Sequence, residues 1–140
     1  MYSERVRKVM DRKRRLVAPA DTTVAEAAKL MAKKNVGALM VVKGKSLIGI
    51  FTERDAVFRV IAEGRDVATT KIGEVMTADP ITVTPDEIFG RALLLMHDHG
   101  FRHVPVVENG EPVGIVSSRS ALDPEMEEFA SETQRRLSLR

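Results

Sequence analysis

The chain has no cysteine. That removes disulfides, thiolate metal ligands and a cysteine nucleophile together. Aromatic residues make up only 4%, so a core must be built from Val, Ile, Leu, Ala and Met. No apolar run approaches the roughly 20 residues that a membrane-spanning helix needs. The opening Met1-Tyr2-Ser3-Glu4-Arg5 lacks the apolar segment of a secretory signal. These absences predict a cytoplasmic protein without a membrane segment. Catalytic signatures are missing as well: no phosphate loop of the Gly-x-x-x-x-Gly-Lys type, no Gly-x-Gly-x-x-Gly and no nucleophile elbow. The expectation is a protein that is not an enzyme.

What is present is an ordinary globular composition, 140 residues with 44% hydrophobic content. Such a chain can bury one real core. The net charge is +2 and unevenly placed. Arg5, Arg7, Lys8, Arg12, Lys13, Arg14 and Arg15 crowd the start, and Asp123, Glu125, Glu127, Glu128 and Glu132 crowd the end. A basic arm can meet nucleic acid, but no aromatic interleaving or nucleic-acid motif accompanies it. A solvated helix end is the expected reading, with nucleic-acid binding kept as an alternative.

The dominant feature is a repeat. Gly49-Ile50-Phe51-Thr52-Glu53-Arg54-Asp55 returns 65 residues later as Gly114-Ile115-Val116-Ser117-Ser118-Arg119-Ser120. Met31 then meets Met96, Val41-Val42 meets Val106-Val107, and Ala56 meets Ala121. Two copies of one unit are implied. In the first copy, residues 2–10 suggest a short helix and Leu16-Val17 a brief strand. Thr23 with Glu26 forms a capping box for a helix from Val24 to Lys34. Strands are expected at 38–42 and 47–51, and a helix at 53–63. In the second copy, 72–76 matches the opening helix and Ile81-Thr82-Val83 the short strand. A helix follows at 88–99. Strands at 104–107 and 112–116 flank the turn signal Asn109-Gly110. Residues 124–137 read as an added amphipathic helix, with Met126, Phe129 and Ala130 on one side. The predicted class is α/β (α+β), with two pseudo-symmetric β-α-β-β-α units packed through their sheets. The expected division is 1–66 for the first unit with its N-terminal helix, 67–123 for the second, and 124–140 for a C-terminal helical extension.

Thr52 ends a strand and precedes a helix, so it is placed as an N-cap. Backbone N–H groups there attract anions, and the hydroxyl adds a donor. Asp55, one turn in, can accept two hydrogen bonds from a ribose diol. The same Thr-x-x-Asp is also a plain self-capping helix start, and both readings stay open here. In the second copy Ser117 keeps the hydroxyl but Ser120 replaces the acid, so one good site and one degraded or repurposed site are expected. His97 and His99 point about 200° apart on a helix and do not readily share an ion, so no metal site is expected.

The chain resembles a tandem pair of CBS domains, often called a Bateman module. The residues that carry the likeness are Val75-Met76-Thr77, Asp21-Thr22-Thr23-Val24 and His103-Val104-Pro105-Val106-Val107, together with the two repeat stretches above. The Thr-Glu-Arg-Asp form and Phe101-Arg102-His103 are similar to a stand-alone bacterial group. The resemblance implies regulatory binding of an adenosine-containing ligand (AMP, ADP, ATP, NAD(H) or S-adenosylmethionine) in a cleft between the units. It also implies a homodimer and an unidentified regulated protein. It gives Thr52 and Asp55 the phosphate and ribose roles. Arg102 and His103, with Arg54, are further phosphate candidates. Val17, Ala18, Ala38, Leu39 and Ile50 would form an adenine slot, though they are equally ordinary core residues. The alternative is an interaction scaffold that takes no metabolite, in which Thr52 and Asp55 only cap a helix.

Overall fold

The computed structural model describes residues 2–11 and 15–138. Its first unit contains β1 (Val17–Pro19), α2 (Val24–Lys34), β2 (Ala38–Lys43) and β3 (Ser46–Thr52), preceded by α1 (Val6–Val9). β3 runs into α3 (Glu53–Asp55), which widens into a π-helical stretch at Ala56–Ile61. The second unit repeats this order with α4 (Ile72–Val75), β4 (Thr77–Ala78), α5 (Phe89–His99), β5 (His103–Glu108), β6 (Glu111–Ser117) and α6 (Arg119–Ser138).

The two-unit α/β architecture expected from the repeat is present. Both central hairpins are antiparallel, and both slip register at the same repeat position, between Val41 and Val42 and between Val106 and Val107. Asn109 and Gly110 both take positive φ, 54° and 78°, as a tight turn matched to strand twist requires. β3 and β6 touch across the junction of the units. Each unit has its own core. Leu39, Val41, Phe51 and Val60 anchor the first, and Phe89, Val104, Val106 and Val116 the second. Each such side chain contributes about 1.5–3 kcal/mol by leaving water.

The packing cuts across chain order. α1 carries Val6 and Met10 into the second core, and α4 carries Ile72 and Val75 into the first. Backbone bonds fix both crossings: Val6 N–H to Glu87 C=O at 2.8 Å in one, Ile72 N–H to Thr22 C=O at 2.8 Å in the other. The expected first unit therefore surrenders its N-terminal helix to its neighbour. Each lead-in segment also sets a methionine over a strand glycine, Met10 over Gly114 and Met76 over Gly49. Those glycines leave the space a Cβ would fill.

Three expectations need correction. The strand at 81–83 shrinks to one parallel bridge, Val83 to Val106. In the first unit Met40 N–H bonds Leu16 C=O at 2.9 Å. Pro105 stands at the matching place and has no N–H to give. The helix expected over 53–63 is α-helical only for its first turn and then π-helical. The added helix starts earlier than expected and is continuous with the last turn of the repeat. The described members of its expected apolar side, Phe129 and Ala130, are exposed.

Candidate ligand clefts between the two units

Two clefts lie between the units, and the repeat relates them. The first, about 650 Å³, takes Thr52, Glu53 and Arg54 from the start of α3 and Gly100 to His103 from the start of β5. The second, about 860 Å³, takes Ser117, Ser118 and Arg119 from the matching helix start and Asn35 to Ala38 from the start of β2. Glu53, Arg102 and His103 line both clefts.

The first cleft has a mixed lining, apolar residues beside the cations Arg54 and Arg102, His103 and the acids Glu53 and Asp79. Ile50, Val57, Phe58, Ile81 and Phe101 supply the apolar walls. Phe58 and Ile81 are exposed, so part of this surface faces solvent. Arg54 lies over the Phe58 ring, 4.3 Å from its centroid, as a cation over a π face prefers. Thr77 and Asp79 enter from the segment that follows α4.

Thr52 caps α3. The Asp55 N–H donates to Thr52 Oγ1 at 3.2 Å, and the Thr52 N–H donates to Asp55 Oδ2 at 2.9 Å. The Thr52 hydroxyl is also 3.1 Å from that oxygen. Asp55 is buried, and its Oδ1 lies 3.5 Å from Arg59 Nε. The carboxylate is bonded to Thr52 of the cleft wall and does not itself line either cleft. In the second unit the Ser117 N–H donates to Ser120 Oγ at 3.1 Å. The local bond survives there without a charge.

His103 is half-buried. Burial holds its imidazole below the ordinary histidine pKa, and Arg102 pushes the same way, while the Glu53 carboxylate opposes them. Gly37 is the meeting point of this group. A Cβ on it would lie 2.8 Å from Glu53 Oε1 and 3.5 Å from His103 Cε1. The absence of a side chain at Gly37 lets Glu53 and His103 approach across the wall between the clefts.

The sequence-derived site residues thus divide. Ile50, Thr52, Arg54, Arg102 and His103 come together in the first cleft. Ala38, Ser117 and Ser120 belong to the second, with Arg102 and His103 shared. Val17, Ala18 and Leu39 line neither; Ala18 and Leu39 are in the first core. The adenine slot is corrected for Ala18 and Leu39, which β1 and β2 turn into the first core; Val17 is half-buried. The slot-like surface is instead Val57, Phe58, Ile81 and Phe101. These escaped sequence reasoning because they reach the cleft from three separate segments. For Val57 and Phe58 the signal was the wide apolar stripe of 56–61, broader than one core face needs.

Residues 6–62 and 72–124 both match the family model for the CBS domain. The chain belongs to the CBS-domain family. Among curated relatives it is similar to "CBS domain-containing protein CBSX3, mitochondrial" of Arabidopsis thaliana, 42% identical over 120 residues. That match takes in 82% of this chain and 58% of the relative; of the next relative the chain spans only 22%. Among solved structures it is similar to an uncharacterized conserved protein from Pyrococcus horikoshii, with a TM-score of 0.82, 28% identity, and 89% and 94% of the two chains covered. It is also similar to CBS domain protein PAE2072 from Pyrobaculum aerophilum, whose structure is a complex with AMP. There the TM-score is 0.76, the identity 30%, and the coverage 84% and 89%.

The CBS pair is therefore the frame in which the two clefts sit. Among the described residues, no group of three or more His, Asp or Glu is gathered to hold a metal ion. No helix among them is long and apolar enough to cross a membrane. Arg12, Lys13 and Arg14 of the basic arm lie outside the described residues; Arg15 donates to Pro112 C=O at 2.5 Å.

Proposed function

We propose that this CBS pair is a regulatory module that binds an adenosine-containing nucleotide in the first cleft. The observation that carries the reading is the cleft's composition. Val57, Phe58, Ile81 and Phe101 line it together with Arg54, Arg102 and His103. A purine fits the first group, and a phosphate is drawn to the second. The ribose is assigned to Thr52, which lines the cleft, and to Asp55, the buried carboxylate that the Thr52 hydroxyl meets. The AMP complex of the Pyrobaculum protein supports the ligand class. AMP, ADP, ATP, NAD(H) and S-adenosylmethionine share that adenosine part, and the module acts by binding rather than catalysis. The binding units follow the two repeats, 1–66 and 67–123, with the lead-in helices α1 and α4 exchanged between their cores, and 124–140, continuous with the last helix of the repeat, offers a surface to a regulated protein.

The pair works as a homodimer. Val57, Ile61 and Leu94 are 50%, 68% and 63% exposed on helices of the two units, and a second copy is the partner that would cover both faces. Native mass spectrometry tests both statements at once. The expected mass is two chains of 15.5 kDa carrying one adenosine compound per chain. Calorimetry with AMP then checks the site: Asp55→Ala weakens binding by about tenfold, or 1.4 kcal/mol. Unchanged affinity removes Asp55 from the site.

The scaffold reading has one observation in its favour. Phe129 is 64% exposed on α6, and a partner protein is a natural cover for it. Failure of AMP, ATP, NADH and S-adenosylmethionine to bind would transfer the argument to that surface.

A further inference from the structure

Arg59 joins two parts of the molecule that the nucleotide reading uses separately. Its Nε lies 3.5 Å from Asp55 Oδ1. Its Nη1 donates to the Met76 carbonyl at 3.1 Å and the Val75 carbonyl at 3.3 Å. One guanidinium therefore spans from the buried carboxylate to the end of α4. Thr77, the next residue, is a wall of the first cleft. It pairs through β4 with Ile50, another wall residue.

Asp55 Oδ2 is already taken by the Thr52 N–H and hydroxyl. Oδ1 is the oxygen left out of the cap, and Arg59 is the group that sets its direction. A vicinal diol presents two O–H donors, and a carboxylate receives them only in a defined orientation. A planar, rigid guanidinium is suited to impose one.

The second unit separates this role from capping. Ser117 and Ser120 make the same local bond at 3.1 Å, with Pro124 at the position matching Arg59. This half of the cap needs no arginine and no acid. Acid and arginine are present together in one unit and absent together in the other.

We propose that Arg59 is a positioning residue for ribose recognition, holding the Asp55 carboxylate and the Val75–Thr77 wall in one geometry. This rests on the nucleotide reading of the first cleft. The pair is half-exposed on the arginine side, and such a pair adds little stability, so a variant that keeps the aliphatic stem retains the fold.

The test is calorimetric titration of the full chain with AMP and with 2′-deoxy-AMP. The parent, Arg59→Met, Arg59→Lys and Asp55→Asn are compared. The parent prefers AMP by about tenfold, the equivalent of one good hydrogen bond. Arg59→Met and Asp55→Asn bring the two affinities to within about twofold, and Arg59→Lys recovers part of the preference. If Arg59→Met weakens both ligands equally and keeps their ratio while Asp55→Asn abolishes it, Arg59 is merely structural and the proposal is overturned. If the parent binds neither ligand, the nucleotide reading falls first and this inference with it.

Discussion

The two units put one backbone under two sets of side chains. Thr52, Glu53, Arg54 and Asp55 in the first are Ser117, Ser118, Arg119 and Ser120 in the second, and Gly37 and Ala38 are answered by Arg102 and His103. The strand registers are nonetheless the same in both, and one strand-to-helix bond recurs, from the Thr52 or Ser117 N–H to the side chain three residues on. The second unit is thus an internal control for the first. There the Ser117 N–H is met by a hydroxyl, so that half of the capping pair does not require a charge. The helix after Thr52 also widens into π turns, whereas the helix after Ser117 is α-helical throughout. Such widening is common where a side chain must be aimed at a ligand.

The largest effect that would break the symmetry comes from the crossed lead-in helices. Val6 and Ile72 are both fully buried, each in the core of the unit that is not its neighbour in sequence. Val6→Asp puts an unpaired charge into the second core and costs about 3–5 kcal/mol. Ile72→Asp costs a similar amount in the first. Urea unfolding measures the loss, and hydrogen exchange locates it. Val6→Asp loosens the amides of β5 and β6, and Ile72→Asp those of β2 and β3. Loosening of the wrong hairpin would show that the cores are not divided as described.

Much of this was legible in the sequence because it depends on local patterns. The repeat offset fixed the unit count, the Thr23 and Glu26 pair started α2 where expected, and Asn109-Gly110 made the turn. What was not legible depends on where separate segments meet. Val6 reads as helical whichever core it enters. The loss of the second short strand turned on a single missing N–H at Pro105. Val17, Ala18 and Leu39 have the apolar character of a purine slot and of a core alike, and strand direction sent Ala18 and Leu39 to the core. Arg102 and His103 were found because their counterparts, Gly37 and Ala38, carry no charge. Phe58 and Phe101 had no such contrast to mark them.

Exchanging the acid between the units sharpens the comparison at an intermediate magnitude. Asp55→Ser gives the first unit the second unit's cap. Stability falls by only about 0.5 kcal/mol, since a hydroxyl still serves, while AMP binding weakens about tenfold. Ser120→Asp, the reverse change, places a carboxylate where no arginine follows one turn on, because residue 124 is proline. That costs about 1 kcal/mol and confers no comparable gain in affinity. Thermal unfolding and AMP titration of the two variants separate capping from recognition. Equal losses of stability with unchanged binding would return Asp55 to a purely capping role.

The smallest effect lies in the wall shared by the clefts, where His103 faces Ala38 across the repeat. His103 has its folded-state pKa below the ordinary 6.5, chiefly through burial. The unfolded chain therefore takes up the proton first. The neutral ring's contribution to stability is complete above pH 6.5. It declines as pH falls from there toward the lowered folded value, and below that it changes no further. An anion in the cleft favours the imidazolium and works in the opposite sense, so AMP binding strengthens as pH falls through the same window. The Glu53 carboxylate raises the His103 pKa against burial; Glu53→Gln therefore lowers it further and extends the window to lower pH. His103→Ala makes this position like Ala38 and removes its share of the slope. An NMR titration of the His103 ring, with and without AMP, reads all three shifts. An AMP-bound ring that titrates no higher than the free one would place the phosphate away from this wall.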